Sequence, residues 1–132
     1  MPSPLESVEA LYSAAARGDF QAFMELLHPD VEWLTPETLP WSRGDYHGRD
    51  EVGEYFASIG QAVDDVRVEP DELLSCGEHV VALGTYAGRS RLTGRAFSAR
   101  FAHVLTVDEG RVVAMRGFED TAAIGAAFEG EN

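Results

Sequence analysis

Residues 99–118 read ARFAHVLTVDEGRVVAMRGF: two alternating runs separated by Asp108-Glu109-Gly110, a pattern that decides the fold class. In the first run Ala99, Phe101, His103, Leu105 and Val107 fall on one face. Ser98, Arg100, Ala102, Val104 and Thr106 fall on the other, as the two-residue period of a strand requires. A tight hairpin is expected between the runs. The second run ends at two adjacent acids, Glu119 and Asp120, the best candidates for chemistry. Alternation places Met115, Gly117 and Glu119 on one face and Arg116, Phe118 and Asp120 on the other. A straight strand therefore sends only one acid inward.

Working back from this hairpin, Val66 to Cys76 (interrupted at Pro70), His79 to Arg89 and Arg95 to Val107 read as strands. The last strand is Arg111 to Glu119. The N-terminal part has the helical period instead. Ser3 with Glu6 makes a capping box, Pro4 suits the first helical position, and helix one is expected from Pro4 to Arg17. Asp19 caps a second helix whose buried face is Phe20, Phe23, Met24 and Leu27, ended by His28-Pro29-Asp30. Val31 to Thr35 alternates like a short strand, followed by an irregular loop with Trp41 and Tyr46. A third helix starts near Asp50, with Val52, Tyr55, Phe56, Ile59 and Val63 on one side. The final AAIGAAF is expected to form a short helical tail.

Helices first and a long meander afterwards predict a single α+β domain over residues 1–132, a curved antiparallel sheet wrapped around three N-terminal helices. The concave side can enclose a pocket. The opposite face keeps apolar residues in need of cover, which predicts a homodimer through the outer sheet face.

The chain has 132 residues, 45% hydrophobic and 25% charged, enough for one core. Its net charge of −13 repels phosphate backbones, so nucleic acid and anionic membranes are poor partners. No apolar run suits a bilayer, and MPSPLESVEA lacks the order of an export signal, so the cytoplasm is expected. Cys76, the single cysteine, reads as a small buried hydrophobe. His28, His47, His79 and His103 are scattered singly, so no metal site is expected. Gly84, Gly88 and Gly94 precede no helix, and no phosphate cradle or other cofactor is implied.

Trp33, Trp41, Tyr46, Tyr55, Phe56 and Tyr86 supply more aromatic surface than a plain core demands and would suit a planar or alicyclic ligand. Trp41 would roof the opening. Tyr12 points from helix one toward the sheet with a hydroxyl to offer, and Met115 shares the inward face of its strand. His103 can titrate near neutral pH. Glu119 either serves chemistry or pairs with Arg100 across neighbouring strands, a pairing that could be structural or poise an acid, and Asp120 either serves chemistry or caps the terminal helix.

The ordered set GDFQAFMELLHPDVEW, YHGRDEVGEYF, TGRAF and HVLTVDEGRVVAMRGFED resembles the nuclear transport factor 2-like superfamily, within it the SnoaL-like, ketosteroid-isomerase-related group. The resemblance covers almost the whole chain. It implies a cone of curved sheet and three helices around a deep hydrophobic cavity. It also implies dimerisation through the outer sheet face. Against the steroid isomerases of that group, Thr35 stands where the general-base Asp would be, and Arg100 where the neutral-acid Asp would be. Against the limonene-type epoxide hydrolases, Arg116-Gly117-Phe118-Glu119-Asp120 keeps only Asp120, and the partner positions carry Tyr86 and Gly84. SnoaL-like cyclases use one Asp as general acid/base, a role open to Asp120 or Glu119 with His103 or Tyr86 as donor.

The leading expectation is a binder of a small, mostly apolar molecule with cofactor-free acid/base chemistry on Asp120, Glu119 and His103. Tyr12, Trp33, Trp41, Tyr46, Phe56, Tyr86, Arg100 and Met115 would contact the ligand. A binding or sensing module without turnover is the second reading. An interaction subunit with a vestigial cavity is the third.

Overall fold

Ser3 caps the first helix as its pattern predicts. In the computed structural model, which describes residues 1–129, its hydroxyl accepts from the Glu6 amide while the Glu6 carboxylate accepts from the Ser3 amide. Residues 130–132 of the expected domain lie outside the described residues. Helix α1 runs Pro4–Arg17 and ends at Gly18, whose φ of 70° is left-handed and suits a residue without Cβ. Asp19 then caps α2, Phe20–Glu25.

Two expectations about this segment are corrected. Helix α2 is shorter than its apolar pattern suggests, and Phe20 is 56% exposed. His28-Pro29-Asp30 does not stop a helix; it lies inside strand β1, Leu27–Leu34. Proline is tolerated there because the ladder is irregular, with a register shift between Leu27 and Glu32. Arg49 supplies substitute donors, bonding the Leu27 carbonyl at 2.9 Å through Nε and 2.6 Å through a terminal nitrogen.

The short strand β2, Asp45–His47, emerges from the expected loop and pairs antiparallel with β1, Trp33 opposite Tyr46. Helix α3 is Gly48–Ala62, and Val63 opens strand β3, Val63–Cys76, where a helical position was expected. Strands β4 (His79–Ser90), β5 (Ala96–Asp108) and β6 (Arg111–Glu119) follow, then helix α4, Thr121–Phe128.

The six strands lie in the order β2-β1-β6-β5-β4-β3 in a curved, unclosed sheet. The sheet is mixed, a correction to the all-antiparallel expectation: the β3–β6 meander fixes the direction of β6, and β1 joins its free edge parallel to it. The β5–β6 turn has φ of 50° at Glu109 and 77° at Gly110, the two positive values of a type I′ hairpin. Ser7 ties α1 to this turn by donating to the Gly110 carbonyl at 3.0 Å. The β3–β4 ladder shifts register between Pro70 and Glu72, a bulge that bends the long strands.

Helix α1 packs on β3 to β6, and α3 on β1 to β3. The inward residues of β5 (Ala99, Phe101, His103, Leu105, Val107) are all buried beneath them. Helix α4 packs on β4 and β5. Cys76 is exposed, not buried, because β3 ends there beside the Gly77 turn. Among the described residues no helix is long and apolar enough to cross a membrane.

Candidate functional site

Between the helices and the inner sheet face lies a cavity of about 300 Å³. Its walls come from Leu11 and Tyr12 of α1, Phe23 of α2 and Tyr55, Phe56 and Ile59 of α3. Trp33, Val68, Tyr86, His103, Leu105, Met115 and Glu119 of the sheet complete them. The four exposed lining residues, Ala15, Phe20, Gly60 and Val66, mark the mouth. The exposure of Phe20 thus has a place: its ring meets Phe56 edge-on at 5.9 Å on the rim. Phe23, Trp33 and Phe56 pack edge-to-face behind it, at centroid distances of 5.2 to 6.1 Å.

Polar groups collect inside this apolar enclosure. The Glu119 side chain is only 2% exposed, and its Oε1 stands 3.5 Å from His103 Nε2. The other His103 nitrogen, Nδ1, lies 2.6 Å from the Tyr12 hydroxyl. Burial, with the Glu119 charge adding to it, holds the Tyr12 hydroxyl far above its ordinary pKa. Tyr12 therefore keeps its proton. With the imidazole hydrogen on Nε2, facing the acceptor-only Glu119 carboxylate, Nδ1 accepts from the Tyr12 hydroxyl.

Gly117 leaves room for this geometry. The Glu119 carboxylate folds back across it, so that a Cβ at position 117 would sit 3.1 Å from Oε1 and 3.2 Å from Oε2. Gly117 is also the residue opposite His103 in the β5–β6 ladder, so the fold-back carries the carboxylate to the imidazole.

Among the described residues, three buried side-chain polar atoms have no partner: Trp33 Nε1, Tyr86 Oη and Glu119 Oε2. All belong to residues lining the cavity. Burial also raises the Tyr86 and Tyr55 hydroxyls well above their usual pKa. For Tyr86 the Tyr55 hydroxyl and then Glu119 add to the effect; for Tyr55 the Glu119 charge does so. The site thus offers neutral donors around one carboxylate.

A model of the SnoaL-like domain matches residues 8–115, most of the chain. The chain belongs to the SnoaL-like family. Its NTF2-like fold is shared with an NTF2-like protein from Burkholderia thailandensis, 33% identical, with a TM-score of 0.93 over 98% of this chain and 100% of that one. An NTF2-like protein from Burkholderia pseudomallei is 30% identical, with a TM-score of 0.89 over the same shares. TerC, co-crystallised with polyporic acid, is 27% identical, with a TM-score of 0.86 over 96% of this chain and 98% of that chain. No curated protein matches the chain.

Of the residues singled out in this SnoaL-like sequence, the structure brings Tyr12, Trp33, Phe56, Tyr86, His103, Met115 and Glu119 together around the cavity. It does not bring four others. Arg100 points to the outer face and pairs with Asp71 at 2.7 Å, not with Glu119. Strand parity explains this, since Glu119 is opposite Phe101 and faces inward with it. Asp120 is the N-cap of α4, its carboxylate accepting from the Ala123 amide at 3.1 Å, and turns away from the cavity. Trp41 is packed against Tyr86, Phe97 and Phe128 with its indole N–H toward Tyr55 Oη at 3.4 Å, so it backs the wall. Tyr46 also lies behind it, its ring 4.9 Å from that of Tyr55 and its hydroxyl accepting from the Arg43 amide. Sequence reasoning missed Leu11, Phe23, Ile59, Val66, Val68 and Leu105 as lining residues. Their helical and strand periodicity gave the buried face without saying which part of it stays unfilled.

Replacing Asp120 by Ala is expected to cost about 1 kcal/mol of stability through the lost cap, measured by urea unfolding, with ligand affinity unchanged. The tyrosines predict an alkaline limit. Their folded pKa values are raised above the unfolded one, so the native state holds protons that the unfolded chain releases. Stability is full below about pH 10 and falls as pH rises beyond it. Tyrosinate absorbance and circular dichroism followed together should show Tyr12, Tyr55 and Tyr86 ionising only as the fold is lost. Their ionisation near pH 10 in an intact fold would contradict this.

Proposed function

We propose that this protein binds a small, largely apolar, ring-containing molecule in the cavity and transfers a proton on it without a cofactor. The observation that carries the reading is a carboxylate, Glu119, held at 2% exposure in an apolar pocket with one oxygen unpartnered. A charge in such a place is costly unless something uses it. Glu119 Oε2 would take a proton from carbon next to a carbonyl: the C–H bond breaks, an O–H bond forms on the carboxylate, and the electron pair moves onto the carbonyl oxygen. Trp33 Nε1 or the Tyr86 hydroxyl would donate to that oxygen as its charge develops. Returning the proton to another carbon completes an isomerisation; in a cyclisation the enolate carbon attacks a second carbonyl, a C–C bond forms, and the new alkoxide takes the proton back from Glu119. His103, steadied by Tyr12, would hold Glu119 in place through the transfer. The likeness to TerC supports a ring-containing ligand.

The test is exchange of the α-hydrogens of 2-tetralone in deuterated buffer, followed by proton NMR. Exchange faster than in buffer alone and blocked by a competing bicyclic ligand supports proton transfer. Saturable binding without exchange assigns the chain to binding or sensing.

A homodimer through the outer sheet face belongs to the same proposal. Two cross-strand rows there, Leu83-Ala102-Phe118 and Leu74-Val81-Val104, are apolar, with Phe118 55% and Leu74 46% exposed. Phe118→Glu is expected to convert a dimer to a monomer in sedimentation velocity. The exposed thiol of Cys76 suits the reducing cytoplasm.

A further inference from the structure

Two large apolar side chains stand in water at the mouth of the cavity: Phe20, 56% exposed, and Val66, 39% exposed. The other two mouth residues, Ala15 and Gly60, are small. Phe20 opens helix α2, whose buried residue is Phe23. Its ring lies 6.3 Å from that of Phe23 and 5.9 Å from that of Phe56, in front of rings that pack on Trp33 without it.

Val66 is aimed by a bulge. In the β3–β4 ladder Asp64 pairs with Arg89 and Arg67 with Ala87, so two residues, Asp65 and Val66, face the single Gly88. Asp65 takes a φ of 56°, a left-handed value that L residues adopt sparingly. The extra residue reverses strand parity: Val63 is buried before it, and Val66 and Val68 line the cavity after it. Strict alternation from Val63 would have turned Asp65 and Arg67 inward instead. The bulge thus puts an apolar side chain where the lip would otherwise carry a charge.

Apolar surface held in water at the edge of an apolar hollow becomes buried when the hollow is filled to that edge. We propose that Phe20 and Val66 retain the ligand: the end of the bound molecule that reaches the mouth lies against both side chains, and their burial slows its release. The proposal rests on the reading of the cavity as a small-molecule site. It adds the residues that set residence time and that require an apolar outer end on the ligand.

The dissociation rate of 2-tetralone from the whole chain, read from the line shapes of the ligand's NMR signals, tests it. Phe20→Ala is expected to raise koff about tenfold and Val66→Ala about threefold, following the apolar surface removed, with kon within about twofold in both. Two substitutions of similar size separate apolar closure from simple bulk: Phe20→Leu should keep koff within about threefold of the parent, while Phe20→Gln should raise it about tenfold. Circular dichroism checks the fold, and because both side chains stand in water Tm should move by no more than about 2 °C. An unaltered koff in Phe20→Ala or Val66→Ala, or equal values in Phe20→Leu and Phe20→Gln, overturns the proposal and leaves the cavity reading intact. Failure of 2-tetralone to bind the unaltered protein overturns both.

Discussion

Glu119→Gln is expected to slow α-hydrogen exchange of 2-tetralone by about 10²- to 10⁴-fold, the usual contribution of a positioned general base. The substitution keeps the shape that folds across Gly117 and removes the proton-accepting oxygen. Because Glu119 is buried and touches His103 at 3.5 Å, the amide can occupy the same space. Stability should therefore change far less than rate. His103→Gln should have a smaller effect on rate, since His103 acts on the ligand through Glu119. An unchanged exchange rate in Glu119→Gln would remove this carboxylate from the chemistry. Asp120→Asn provides the contrast: its carboxylate caps α4 and faces away, so exchange should continue at the original rate.

The second large effect concerns the scaffold. Gly84→Ala is expected to destabilise the protein by about 3 kcal/mol, at the upper end of overpacking effects, lowering Tm by roughly 10 °C. A Cβ at Gly84 would lie 2.2 Å from the Glu69 carbonyl oxygen and 2.6 Å from Pro70 Cα. These are backbone atoms, so no side-chain rotation relieves the clash. The neighbouring register shift between Pro70 and Glu72 is the bulge that bends β3 against β4. Straightening it moves Val66 and Val68, which line the cavity, so ligand affinity should fall along with stability. Scanning calorimetry with and without a bicyclic ligand measures both. A variant as stable as the parent would show that the bend does not depend on that close approach.

These two sites also show what the sequence made legible. Alternation in β5 and β6 is local, so the hairpin, the inward face of β5 and the inward turn of Glu119 all follow from residues 99–119. The same parity rule turns Arg100 outward, and the expected pair with Glu119 failed because it ignored register: Glu119 faces Phe101. The capping box of α1 is equally local. The start of β1 at Leu27 and its parallel pairing with β6 depend on contacts between residues about 85 positions apart, which no short window contains. Apolar periodicity marks Phe20 and Phe23 alike as buried, although only Phe23 is. Phe20 sits on the rim because the space beyond it is left open. Unfilled volume has no sequence signature, whereas Trp33, Phe56 and Tyr86 were legible through their aromatic excess.

The most direct measurement is a crystal structure of the protein with 2-tetralone bound. The expected result is the ligand inside the cavity, the carbon next to its carbonyl about 3.5 Å from Glu119 Oε2 and its carbonyl oxygen within about 3 Å of Trp33 Nε1 or Tyr86 Oη. A ligand seated elsewhere, or a Glu119 carboxylate turned out into solvent with the cavity collapsed behind it, would contradict it.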